Sequence, residues 1–196
     1  MNLEHLGDAL DYWKGGLIEM LDGLLRDLHV IPLFTDDPTT AWTQDHLRLY
    51  ARLLSVPRDR ILACNQSFQN ALRQEYFAGL SLPEQSDLFL DPDTGIAPNH
   101  GGNAKHIRLN EIAGMLPAES RRILLVYQHA FRKHDYVTRA LHRVVDSDQL
   151  RGTSAFAYLG GAASMIFITR AKSRLNELHR RLAQAFERPV RITDIK

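Results

Sequence analysis

Apolar residues recur at helical spacing over residues 3–28, where Leu3, Leu6, Leu10, Leu17, Met20, Leu21, Leu24, Leu25 and Leu28 mark one helix face. The pair Gly15-Gly16 weakens the middle of that helix and marks a bend or a close approach of another element. The apolar run His29–Phe34 then reads as a short strand, stopped by the turn-forming Thr35-Asp36-Asp37-Pro38. A helix is predicted at 43–54, with Thr43 as N-cap and Asp45 in its first turn. Ile61-Leu62-Ala63-Cys64 reads as a second short strand, 67–79 as a helix and 86–91 as a strand. Residues 92–104 hold Pro92, Gly95, Pro98, Gly101 and Gly102 and read as a long loop, a type of segment that is often functional. A helix at 107–116, a strand at 122–127 and a helix at 133–146 follow.

The last third changes rhythm. Ala155–Leu159 and Met165–Thr169 are apolar runs around Gly160-Gly161, the pattern of two adjacent antiparallel strands. A helix at 171–186 then presents Leu175, Leu178, Leu182 and Phe186 on one face and Lys172, Arg174, Arg180 and Arg181 on the other. Strands alternating with helices imply an α/β fold: a single domain over 1–196, Rossmann-like, with a mostly parallel sheet, helices on both faces and an antiparallel C-terminal edge hairpin.

Composition narrows the class. The chain has 196 residues, 44% of them hydrophobic and 24% charged, as in an ordinary globular protein with one core. No apolar run approaches the roughly 20 residues of a membrane span, and Met1–His5 lacks the features of a signal peptide. The single Cys64 excludes an internal disulfide and a cysteine zinc cluster, so a cytoplasmic protein is expected. The net charge of +1 conceals a polarity: 7 Lys/Arg against 15 Asp/Glu in residues 1–100, and 17 against 8 thereafter. The basic C-terminal half either binds RNA or DNA or pairs with the acidic half.

Candidate chemistry gathers at strand ends. In Leu88-Phe89-Leu90-Asp91-Pro92-Asp93-Thr94-Gly95 an apolar run delivers a carboxylate to the edge of a sheet, where open α/β folds bind ligands. Asp91 and Asp93 are therefore the first catalytic candidates, and Asp91→Ala is expected to leave stability within about 1 kcal/mol, as for a site residue. Tyr127-Gln128-His129 ends the next strand. Gln128 is suited to reading a base edge, His129 to general-base work, and Arg132 with Lys133 to a phosphate backbone. Trp13 and Trp42 read as core anchors, and Cys64 as a buried, inert thiol.

Two short motifs carry a resemblance. Gly7-Asp8-Ala9-Leu10-Asp11-Tyr12-Trp13-Lys14 has the form G-x-x-x-D-x-x-K on a helix leading into the first strand, and Asp91-Pro92 ends a later one. In motif and element order the chain resembles the bacterial 23S rRNA adenine-N6 methyltransferases, within the class I S-adenosylmethionine-dependent methyltransferases. The resemblance implies S-adenosylmethionine as cofactor, with Lys14, Asp36 and Asp37 beside it. It also implies that Asp91 accepts a hydrogen bond from the target amine while Pro92 shapes the backbone. The chain departs from that pattern in three places. Phe34-Thr35-Asp36-Asp37-Pro38-Thr39 has no glycine turn, Asn65-Gln66 replaces a ribose-binding acid, and Thr94 replaces an aromatic residue.

Two other chemistries remain open. Asp36, Asp37, Asp91 and Asp93, with His100 or His106, would suit Mg²⁺ or Mn²⁺ in a phosphodiesterase whose Lys105 and Arg108 hold the phosphate. A cofactor-free binding protein on the same fold is the third reading.

Overall fold

The computed structural model describes residues 1–36, 42–62, 67–98, 101–129 and 135–185, and the backbone of 192–195. Its main strands are β1 (His29–Pro32), β2 (Leu88–Asp91), β5 (Ile123–His129), β6 (Ser154–Gly160), β7 (Ala163–Thr169) and β8 (Ile192–Ile195). They lie side by side in the order β1-β2-β5-β7-β6-β8. Two further strands, β3 (Gly95–Ile96) and β4 (His106–Ile107), form a small parallel pair inside the segment expected to be a loop.

The sheet is mixed rather than mostly parallel. β1, β2 and β5 run parallel, joined through helices α2 (Gln44–Leu53) and α3 (Arg73–Ala78) and then α4 (Leu109–Met115), as parallel pairing requires. β6 and β7 are linked by Gly161 and Ala162 alone, and so short a link forces an antiparallel pair. The pairings β5–β7, β7–β6 and β6–β8 are all antiparallel. The expected hairpin forms, but not at an edge, because β8 pairs along its outer side. Nothing in the short segment 192–195 has enough period to announce that strand.

Helices cover both faces, as expected. α1 (Ala9–Met20), α2 and α6 (Lys172–Ala185) pack over Phe89, Leu125, Phe156 and Phe167. α3, α4 and α5 (Tyr136–Val145) cover Leu88, Leu90, Leu124 and Ile166. Burial on both faces explains why β2 is apolar at successive positions instead of alternating. Ile61 makes a single parallel bridge to Val30, and Ala63 through Gln66, including Cys64, lie outside the described residues.

The long N-terminal helix is interrupted. Leu3–His5 form a short 3-10 turn, Gly7 adopts a φ of +86°, and Asp8 caps α1 by accepting from the amides of Leu10 and Asp11. The glycine pair does mark a close approach. A Cβ on Gly15 would lie 1.9 Å from the Leu53 carbonyl oxygen of α2, whereas Gly16 faces open space. The basic stripe expected on α6 is also incomplete, because Arg174 is buried and paired with Asp87 at 2.7 Å. Among the described residues no helix is long and apolar enough to cross a membrane.

Candidate functional site

The register places the carboxyl ends of the three parallel strands together. Pro32 stands opposite Asp91, and Tyr127 follows Val126, the partner of Leu90. α1 crosses this edge and sends Lys14 into it. The Lys14 ammonium lies 3.0 Å from Asp11 Oδ1 and 2.9 Å from Asp91 Oδ2, with only 3% of the residue exposed. It also sits 4.5 Å from the centre of the Tyr127 ring. From α2, the Tyr50 hydroxyl donates to Asp91 Oδ2 at 2.6 Å. Asp11 in turn accepts from the Gly7 amide at 2.9 Å, which ties the start of α1 to the cluster.

Lys14, Asp11, Tyr50 and Tyr127 titrate away from their ordinary values in this buried setting. Burial alone would pull Lys14 down, but the Asp91 and Asp11 carboxylates outweigh it and hold the ammonium above its ordinary range. Burial pushes the Asp11 carboxyl up, opposed by Lys14. Burial, and then the neighbouring Asp91 carboxylate, raises the Tyr50 phenol. Burial likewise raises Tyr127. The arrangement is a charge framework of two carboxylates, one ammonium and two neutral phenols.

Outside that framework lies a cavity of about 260 Å³, bordered by Lys14, Asp91, Asp93, Lys105, Tyr127 and His129 among others. Asp93 pairs with the Met1 α-amino group and accepts from the Thr35 hydroxyl. Burial opposes ionisation of Asp93, yet the amino group outweighs it and holds this carboxyl below its ordinary value. The same amino group donates to the carbonyls of Leu33 and, at 3.3 Å, Asp91. His129 is exposed at the rim, its Nδ1 3.1 Å from the Tyr127 hydroxyl.

The structure thus gathers Lys14, Asp91, Pro92, Asp93, Lys105 and His129 around one cavity. Among the other candidates that are described, Asp36, Gln128 and Arg108 make their contacts elsewhere. The Asp36 carboxylate accepts from the Leu3 amide at 2.9 Å and from Trp42 Nε1 at 2.7 Å, and Trp42 stacks on Phe34 with ring centres 3.9 Å apart. Gln128 turns to the opposite side of β5. It donates to the Thr94 carbonyl at 2.9 Å and accepts from the Ile96 amide at 3.0 Å. Arg108 leads α4 and bonds Asn70 and Gly102. Asp37, His100 and Arg132 lie outside the described residues.

Two residues that the resemblance implies beside a cofactor already have partners within the protein, and the third, Asp37, lies outside the described residues. Asp36 is committed to Leu3 and Trp42, Lys14 to two carboxylates, and Leu33-Phe34-Thr35-Asp36 has no glycine for close backbone approach. Two of the residues expected to hold a metal, Asp37 and His100, lie outside the described residues. Among the described residues no group of three or more His, Cys, Asp or Glu is placed to hold a metal ion. Asp91 shares the Lys14 ammonium with Asp11, and Asp93 pairs with the Met1 amino group.

Tyr50, the Met1 amino group and Thr35 are contributors that sequence reasoning missed; Tyr50 is one of several buried positions on α2 and nothing local sets it apart. Asp11 belonged to the quoted motif, and its i,i+3 spacing to Lys14 was the available signal. Comparison of the chain with protein-family models, with curated proteins and with solved structures returned no match.

Proposed function

We propose that this chain is a nucleobase-recognising protein of methyltransferase-like, Rossmann-like architecture, whose cleft at the carboxyl ends of β1, β2 and β5 takes an amine-bearing base such as adenine from RNA or DNA. One observation carries the reading. Lys14 of the first short motif bonds Asp91 of the second, although 77 positions separate them. Both motifs reach one cleft, and that supports the reading.

Charge and size favour an amine donor. Asp11 and Asp91 against Lys14 leave a surplus of one negative charge at the buried floor whenever both carboxyls are ionised. In low dielectric such a surplus attracts a hydrogen-bond donor or cation. A volume of about 260 Å³ is smaller than the roughly 300–1,000 Å³ of typical drug-sized sites. It suits one base better than a base together with a large cofactor, and an extruded base enters such a pocket alone. His129, exposed at the rim, is placed to accept a proton.

Calorimetric titration with adenosine, cytidine and uridine tests the reading. Adenosine and cytidine, which carry exocyclic amines, are expected to bind and uridine to bind at least about tenfold more weakly, a difference worth about 1.4 kcal/mol. Equal binding of all three, or of none, would refute the amine-recognition reading. A parallel titration with S-adenosylmethionine asks whether the chain binds the methyl donor; heat of binding there would favour adenine-N6 methyl transfer.

A further inference from the structure

Gln128 and His129 face opposite sides of β5, as successive strand residues do, and the Gln128 side borders a second pocket of about 230 Å³. Its polar wall is His106, Gln128, Asp135, Tyr136, Arg139 and Arg143. Arg139 and Arg143 stand one turn apart on α5. The one carboxylate on this wall, Asp135, is already held by Arg139 Nε at 2.6 Å.

Arg143 differs from the other buried arginines. Arg73 forms two 2.6 Å bonds to Glu111, Arg174 pairs with Asp87, and Arg122 donates to carbonyls from each of its nitrogens. The half-buried Arg143 makes one long bond, 3.3 Å to the Ile96 carbonyl. Its Nε is buried with no hydrogen-bond partner, and among the described residues no carboxylate pairs with it. A buried N–H in this state is costly until an acceptor completes it.

We propose that this pocket is an oxyanion site that binds a phosphate group through the Arg143 fork, with Arg139 and His106 beside it. Arg139 and Arg143 against Asp135 leave one net positive charge, which matches a phosphodiester or a singly charged phosphate. The planar fork meets two oxygens of such a group at once. Burial, followed by the Arg73 and Arg143 guanidiniums, pushes His106 below its ordinary value. The inference does not depend on the base-recognition reading, since the two pockets share no lining residue.

The test is thermal unfolding of the full chain in inorganic phosphate, in acetate at matched ionic strength, and with a short single-stranded DNA oligonucleotide. Phosphate is expected to raise Tm where acetate does not. Arg143→Met should bind phosphate at least about tenfold more weakly while unfolding, without phosphate, at or above the wild-type temperature. Arg143→Lys, which keeps the charge and loses the fork, should fall between them. Competition by the oligonucleotide would assign the site to a nucleic-acid backbone, and protection by phosphate alone would assign it to a free phosphate or monoester. The proposal is overturned if acetate matches phosphate, if both Arg143 variants bind phosphate as wild type does, or if Arg143→Met alone lowers Tm markedly.

Discussion

Lys14 on α1 and Asp91 at the end of β2 form a buried ion pair at 2.9 Å, and this contact joins the helix to the sheet at the point where the cleft opens. It makes Asp91 a structural group as well as a candidate ligand contact. The expectation that Asp91→Ala would leave stability nearly unchanged is therefore corrected. Lys14→Met leaves two buried carboxylates without their ammonium, at a cost of about 3–5 kcal/mol, whereas Asp91→Ala leaves Lys14 its Asp11 partner and costs about 1–3 kcal/mol for the unpaired Tyr50 hydroxyl. Urea denaturation of the two variants should show losses in that order, and a loss below about 1 kcal/mol in both would show that the pair does not hold α1 to the sheet.

Asp11 gives a pH signature. Burial raises its carboxyl above the ordinary 3.8, so the folded state holds this proton more tightly than the unfolded chain. Its contribution is fully present below 3.8 and is lost as pH rises through the raised value. The stability of wild type minus that of Asp11→Asn should fall with rising pH inside that window, by at most about 1.4 kcal/mol per pH unit, and stay flat on either side. Denaturation curves collected from pH 3.5 upward measure it. A difference that rises with pH would mean that Lys14 dominates Asp11.

Gly15 and Gly16 are neighbours with opposite demands. Gly15→Ala drives a methyl group to 1.9 Å from a backbone oxygen of α2 and should destabilise by about 3 kcal/mol or more. Gly16→Ala meets nothing within 4 Å and should gain about 0.5–1 kcal/mol from helix propensity. Thermal unfolding of the two single variants separates them, and equal behaviour would contradict the α1–α2 packing.

His129 is exposed at the rim, so His129→Gln should change stability by no more than about 0.5 kcal/mol. If it receives a proton or contacts the base, nucleoside affinity or turnover should fall about tenfold or more. Unchanged binding and turnover would remove His129 from the site.

The local signals were good where short-range chemistry dictates structure. Thr43 does cap α2, accepting from the His46 amide at 3.2 Å, because a side-chain oxygen there meets an amide that the helix leaves unpaired. The Leu88–Asp91 run does end at the sheet edge, and Gly15 does mark a helix contact. The break at Gly7 was less visible, since apolar spacing continued across it and only the positive φ reveals the turn.

What the sequence determined by itself was the α/β class, the strand cores and the arrival of Asp91 and His129 at strand ends, because apolar periodicity and turn residues act within a few positions. Only the tertiary structure decided that the sheet is mixed, that Lys14 lies between two carboxylates, and that Gln128 and Arg143 open a different pocket from His129. Those outcomes depend on strand register and on which distant groups share a buried volume. A pairing between residues 14 and 91 leaves no trace in either local pattern, since it is selected by the energy of desolvating both charges together.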